Sequence, residues 1–214
     1  MATGVRWLWR GHNWIAQVID AACSGTASSG SRRRTLKQVI LLAVELLHEG
    51  REGRKIGTLF VIGDVEFVLA HSHPLLLDPL HGHARGIRHV EKRDFREAVK
   101  ELAQLDGAFI VEDDGTFVSA ARFVDVDLRS VSDLPSGLGA RHAAAASISE
   151  AAAAIAIVVS ESSVVRVFSQ GELRAEILPG FFHGAADAFF AVEAAEVREL
   201  PEAGLTIAFG RSRP

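Results

Sequence analysis

The chain has 214 residues, 48% of them hydrophobic and 23% charged, which is the composition of a globular protein with one well-buried core and room for a small appendage. Its net charge of −4 excludes a general nucleic-acid binder, which needs a basic face, but not the binding of one nucleotide by a few local cations. The single cysteine, Cys23, excludes an intrachain disulfide framework and points to a reducing cytoplasm, and no apolar run has the length of a transmembrane segment.

The N-terminal stretch MATGVRWLWRGHNWIAQVIDAAC is basic early on, but His12, Asn13, Gln17 and Asp20 interrupt its apolar run, which makes a poor secretory signal. Trp7, Trp9 and Trp14 all fall here, with Leu8, Ile15, Val18, Ile19 and Ala22 at helical spacing. An amphipathic helix is predicted that can dock on the main domain, lie on a membrane surface or meet a partner; docking is the expected role. Residues 23–34, CSGTASSGSRRR, read as a flexible linker with a basic end, so 1–34 form an N-terminal helix and linker.

A helix is predicted from Thr35, with Leu36, Val39, Ile40, Ala43 and Leu47 on one face and a stop at Gly50. GTLFVIGD (57–64) is a buried strand bounded by glycines. The proline- and histidine-rich stretch 70–89 reads as a loop; its His71, His73, His81, His83 and His89 are either solvated or, less simply, ligands for zinc. RDFREAVKELAQL (93–105) has helical spacing, and 106–126 gives two strands joined at Asp113-Asp114-Gly115. A helix follows at about Ala140, then a buried strand at 154–161 and a hairpin over 164–178 turning at Gln170-Gly171. The tail from residue 179 is read as an extension with a helix over 185–200 and a strand over 205–209. Interleaved helices and all-apolar strands predict an α/β fold, a mixed central β-sheet flanked by helices on both faces.

The stretch GLGARHAAAA, from residue 137, places Arg141 and His142 at the start of a helix. The dipole disfavours cations at that end, so they fit if an anion sits in front of the helix. Otherwise Arg141 is a solvated charge and His142 a packed loop residue. Two other stretches bear on the choice: LDGA (105–108), a carboxylate at a helix-to-strand junction, and VVSES (158–162), where Ser160 leaves a buried strand. Each alone is also compatible with a turn or an inert loop.

In this order and spacing, LDGA, GARH and VVSES resemble the motifs of the diadenylate cyclase domain family, which joins two ATP molecules into cyclic di-AMP, a second messenger. KIGTLFVIGD and DDGTFVSAARFVDV resemble its archaeal-type single-domain members, and the resemblance extends over 36–178, giving a domain at 35–178. It implies a catalytic motif of Asp106, Gly107 and Ala108, with Asp106 holding Mg²⁺ or Mn²⁺ and assisting deprotonation of a ribose 3′-hydroxyl. Gly107 lets the backbone approach the nucleotide. Arg141 and His142 would grip the triphosphate, with Leu105, Gly139, Ser160 and Glu161 completing the ATP site. The family's usual Arg-His-Arg has Ala143 at its third position here, and Arg122 is the candidate substitute. The resemblance further implies face-to-face self-association as a homodimer or higher oligomer, because the product has two-fold symmetry. The alternative it leaves open is a weak or inactive sensor that binds ATP or cyclic di-AMP.

Overall fold

A computed structural model of the chain describes residues 13–25, 28–50, 53–75, 77–126, 138–180, 190–192 and 194–210. In chain order its elements are α1 (Asn13–Cys23), α2 (Gly30–Glu49), β1 (Thr58–Ile62), α3 (Val65–Ala70), β2 (Ser72–Pro74), α4 (Arg93–Leu102), β3 (Ala108–Val111), β4 (Phe117–Val124), α5 (Ala140–Ala151), β5 (Ile155–Ser160), β6 (Val164–Ser169), β7 (Glu172–Pro179), β8 (Ala194–Leu200) and β9 (Leu205–Gly210). The described strands form one sheet in the order β2-β4-β3-β1-β5-β6-β7-β9-β8. Only β1 and β3 run parallel; every other neighbouring pair is antiparallel.

All five residues of β1 are buried, because an apolar run without alternation must be covered on both faces. On one face Phe60 and Ile62 join Ile155, Ile157 and Val159 of β5 in a cluster with α1 and α2. On the other, Leu59, Val61, Ala156 and Val158 meet Val68 of α3 and Ala144, Ala145, Ala146 and Ile148 of α5. The fold is therefore α/β, with a mixed sheet and helices on both faces. Both hairpin turns lie where the sequence puts them; Gln170 and Gly171, at φ 54° and 76°, make the left-handed pair that a two-residue turn requires.

The linker reading needs correction at its basic end. Gly30 already begins α2, and Ser29 caps it by accepting from Arg32 N at 3.1 Å. Arg32 is buried and paired through Nε with Asp113 Oδ1 at 2.7 Å, while Ser31 and Thr35 donate to the Asp113 carbonyl. The basic end is thus a clamp on the β3–β4 turn. Helix α1 docks as expected, burying Trp14, Ile15, Val18, Ile19 and Ala22 in the main core. Trp7, Leu8 and Trp9 lie outside the described residues.

The tail reading also changes. Residues 185–189 lie outside the described residues, but 194–200 form strand β8, not a helix. Alanine, glutamate, arginine and leucine favour helix locally; pairing with β9 along 194–210 overrides that preference. Because β9 pairs with β7, the tail continues the central sheet. Within the stretch read as a loop, Ser72–Pro74 adds a short edge strand, ended by a proline that has no ladder donor. Among the described residues no helix is long and apolar enough to cross a membrane.

Arg32→Ala should lower stability by about 2–3 kcal/mol, since it deletes a charge-assisted bond from a buried guanidinium. Urea unfolding of the full chain, read by its midpoint at constant slope, measures this.

Candidate active site

Since β1 and β3 are parallel and β5 opposes both, the starts of β1 and β3 and the end of β5 share one edge of the sheet. Helix α5 begins over that edge. Its buried alanines bring it close to the strands, and Gly139 before it carries no capping side chain; the His142 N–H turns back onto the Gly139 carbonyl at 3.0 Å, so the N–H groups of Ala140 and Arg141 are the ones left without a side-chain cap. The result is a cleft of about 750 Å³. Asp106, Gly107 and Ala108 line it from the start of β3, Gly139, Arg141 and His142 from α5, and Ser160 and Glu161 from the end of β5. Arg122 lines it from β4. Asp106 and Glu161, 55 positions apart in sequence, thus converge. Leu105 does not line the cleft and is half exposed; Ala143 does not line it either.

Arg141 holds the two carboxylates. Its Nη2 donates to Asp106 Oδ1 at 2.7 Å and its Nη1 to Glu161 Oε1 at 3.2 Å. Both carboxylates are largely solvent-exposed, so each bond is worth only about 0–1 kcal/mol and an incoming anion can take over the guanidinium. Gly57, just before β1, makes room for this pair: a Cβ there would lie 2.6 Å from Arg141 Nη1 and 2.9 Å from Glu161 Oε1. Arg122 differs. Its Nε donates to Ser72 Oγ at 2.8 Å and its Nη2 to the carbonyls of Leu69 and Ser72. Among the described residues it faces no carboxylate, so its charge is held in place but not neutralised.

His142 is buried, and burial pushes its imidazole down to about 4. The neighbouring Arg166 guanidinium acts in the same direction, the Gly139 carbonyl opposes it, and Arg141 adds a further lowering. Arg166 Nη1 lies 3.0 Å from His142 Nε2, and Arg166 Nε donates to Glu176 Oε1 at 2.6 Å. Arg166 lines the cleft, and sequence reasoning missed it. Its signal was available: a charge inside the buried run VVRVF, opposite a second charge in RAEIL, has to be paired. Leu75 and Phe123, each 41% or more exposed, give the cleft an apolar side that sequence reasoning also missed.

Gly107 is required by the protein itself. It sits at φ +104°, and a Cβ would fall 2.6 Å from the backbone carbon of Ala121. Ala121 is itself left-handed, at φ 52°, where the β3–β4 register shifts. The Asp-Gly-Ala strand start therefore runs tight against a bulge in β4, and this close approach is to backbone.

The donor set fits a metal that arrives with phosphate. Asp106 offers exposed hard oxygens in the cleft, while no group of three histidine, cysteine or carboxylate side chains among the described residues could hold an ion alone. Mg²⁺ is commonly held in that way, by one or two carboxylates plus substrate phosphates. Three of the histidines of 71–89 have separate partners: His71 stacks on Phe67 at 3.9 Å between ring centroids, His73 lies 3.6 Å from Asp125, and His89 Nε2 lies 2.7 Å from the Asp114 carbonyl.

Residues 47–173 match the family described as DisA bacterial checkpoint controller nucleotide-binding. The chain belongs to this family. A diadenylate cyclase of Methanocaldococcus jannaschii is 46% identical over 149 residues, covering 69% of this chain and 47% of that protein. One from Haloferax volcanii is 38% identical over 170 residues, 78% of this chain and 60% of the relative. The chain thus spans about half the length of these curated relatives. Among solved structures, DacA from Staphylococcus aureus is 19% identical with a TM-score of 0.45, covering 68% of this chain and 88% of that one. A hypothetical membrane-spanning protein from Bacillus cereus is 22% identical with a TM-score of 0.49, covering 75% and 69%. The family match includes Asp106, Arg141, His142, Ser160, Glu161 and Arg166, and ends before Glu176, β8 and β9.

Gly107→Ala should cost about 3 kcal/mol or more, from left-handed strain together with overpacking against β4; thermal and urea unfolding both read it. The lowered His142 pKa also sets a pH dependence. Well above pH 6.5 the ring is neutral in folded and unfolded chains alike, so it contributes no slope there. As pH falls from 6.5 towards 4 only the unfolded chain takes the proton, and stability is lost, by about 2 kcal/mol at pH 5. Comparing wild type with His142→Gln at pH 7 and pH 5 should show that this part of the acid sensitivity disappears in the variant.

Proposed function

We propose that the chain is a diadenylate cyclase, condensing two ATP into cyclic di-AMP and two pyrophosphates. The observation that carries this reading is the meeting of Asp106, Arg141, His142, Ser160 and Glu161 in one cleft at an uncapped helix start, in a chain related to curated diadenylate cyclases. In each half-reaction the 3′-oxygen of one nucleotide bonds to the α-phosphorus of the other. The bond from that phosphorus to the β-phosphate bridging oxygen breaks, pyrophosphate leaves, and the hydroxyl proton is lost. Such a transfer depends mainly on alignment and charge neutralisation.

Arg141, released from Asp106 and Glu161, binds phosphate oxygens, with the α5 N–H groups and Ser160 as further donors. Freed Asp106 draws off the 3′-hydroxyl proton and is the carboxylate that would hold Mg²⁺ or Mn²⁺. That ion supplies charge neutralisation for the polyphosphate. Arg122, whose charge no described carboxylate offsets, takes the place left by Ala143. Leu75 and Phe123 form an apolar wall for a base. One cleft holds one ATP, so two copies of the chain meet face to face during the reaction.

Purified protein incubated with ATP and Mg²⁺ or Mn²⁺ should yield cyclic di-AMP by mass, and Asp106→Asn should lower the yield at least a hundredfold while leaving ATP binding measurable. Arg141→Ala should weaken ATP binding about tenfold or more, the loss of a charge-assisted phosphate contact. Binding of ATP or cyclic di-AMP by the wild type without turnover would replace this reading with that of a sensor.

A further inference from the structure

Arg166 and Glu176 are direct cross-strand partners on β6 and β7, and Val158 of β5 and Ala208 of β9 are the next partners on either side. This row lies on the sheet face that α5 covers. Arg166 is 7% exposed and Glu176 is fully buried. The second Glu176 oxygen, Oε2, accepts from the backbone N–H of Val192 at 2.8 Å. Val192 precedes β8, and Phe190 packs near it in a small cluster with Val164, Leu178 and Ala208. Three consecutive hydrogen bonds therefore lead from the tail to the cleft: Val192 to Glu176, Arg166 to Glu176, and Arg166 to His142.

The last bond has one possible polarity. A guanidinium has five N–H donors and no acceptor, so His142 Nε2 must accept, and the neutral ring must carry its proton on Nδ1. Nδ1 is buried and has no hydrogen-bond partner of normal geometry among the described residues. Glu176, in turn, keeps Arg166 from swinging into the cleft, and the Val192 N–H occupies the oxygen that Arg166 leaves.

We propose that Arg166 is a positioning residue that holds His142 as its Nδ1–H tautomer, and that the C-terminal β8–β9 segment braces the nucleotide site through Glu176. This rests on the nucleotide-site reading above and adds to it a part for a segment beyond the family match.

The test uses full-length chain and two readouts. The first is the ¹⁵N spectrum of the His142 ring, identified by its loss in His142→Gln. The second is the affinity for 3′-deoxy-ATP with Mg²⁺, which lacks the attacking hydroxyl and cannot condense. Because removing one member of a buried pair can unfold the chain, the main variant is Arg166→Met with Glu176→Leu, an apolar replacement of both. The wild-type ring should report Nδ1–H. The double variant should shift it towards Nε2–H and bind 3′-deoxy-ATP at least fivefold more weakly. Val192→Pro removes this N–H donor while also fixing the local φ, and should weaken binding about threefold with the fold retained by thermal unfolding.

A wild-type ring already protonated on Nε2, or a folded double variant with unchanged ring and affinity, overturns the role of Arg166. Unchanged affinity in Val192→Pro overturns the bracing by the tail. Absence of 3′-deoxy-ATP binding by the wild type counts against the nucleotide-site reading, and the ring spectrum still decides the Arg166 contact.

Discussion

The close packing of the alanine face of α5 on β1 and β5 is the constraint on which the site depends. Ala144, Ala145 and Ala146 are buried against Leu59, Val61, Ala156 and Val158, where larger side chains would hold the helix further from the sheet. At this distance Arg141 reaches Asp106 at the start of β3 and Glu161 after the end of β5, and His142 reaches Arg166 on β6. The strand order contributes equally. One parallel pair beside an antiparallel partner brings two strand starts and one strand end to the same edge, so short motifs far apart in the chain become neighbours.

The three arginines of the cleft are held in different ways. Arg141 is shared between two exposed carboxylates, a weak arrangement in water that can be exchanged. Arg166 is tied to a fully buried carboxylate and stays in place, because leaving Glu176 unpaired in the interior is costly. Arg122 is fixed by neutral oxygens of the segment around Ser72, which orient its charge without cancelling it. An anion entering the cleft meets one guanidinium that is ready to change partners, one that no described carboxylate pairs and one that serves as a rigid support. The same low-dielectric surroundings that keep His142 neutral make its tautomer a matter of which neighbour donates.

Much of the fold was legible because its signals are local. The glycine-bounded run at 57–64, the Asp113-Asp114-Gly115 and Gln170-Gly171 turns, and the helical spacing of 93–102 each carry their reason within a few residues. Tail residues 194–200 misled for the opposite reason: their helix preference is local, whereas the pairing with β9 that defeats it becomes visible only in space. SGSRRR likewise has the composition of a linker until Asp113, about eighty positions away, gives Arg32 a buried partner.

The sequence by itself determined the α/β class and the turns, because period and turn chemistry are short-range properties, and the ordered motifs LDGA, GARH and VVSES carried the resemblance that marked the site residues. Only the tertiary structure decided that Arg141 bridges two carboxylates, that Gly107 is demanded by the β4 bulge, and that Arg166 and Glu176 connect the tail to His142. Those facts depend on strand register and on the distance between a helix and a sheet. Neither is encoded in any single stretch of chain, because each is set by the packing of all of them together.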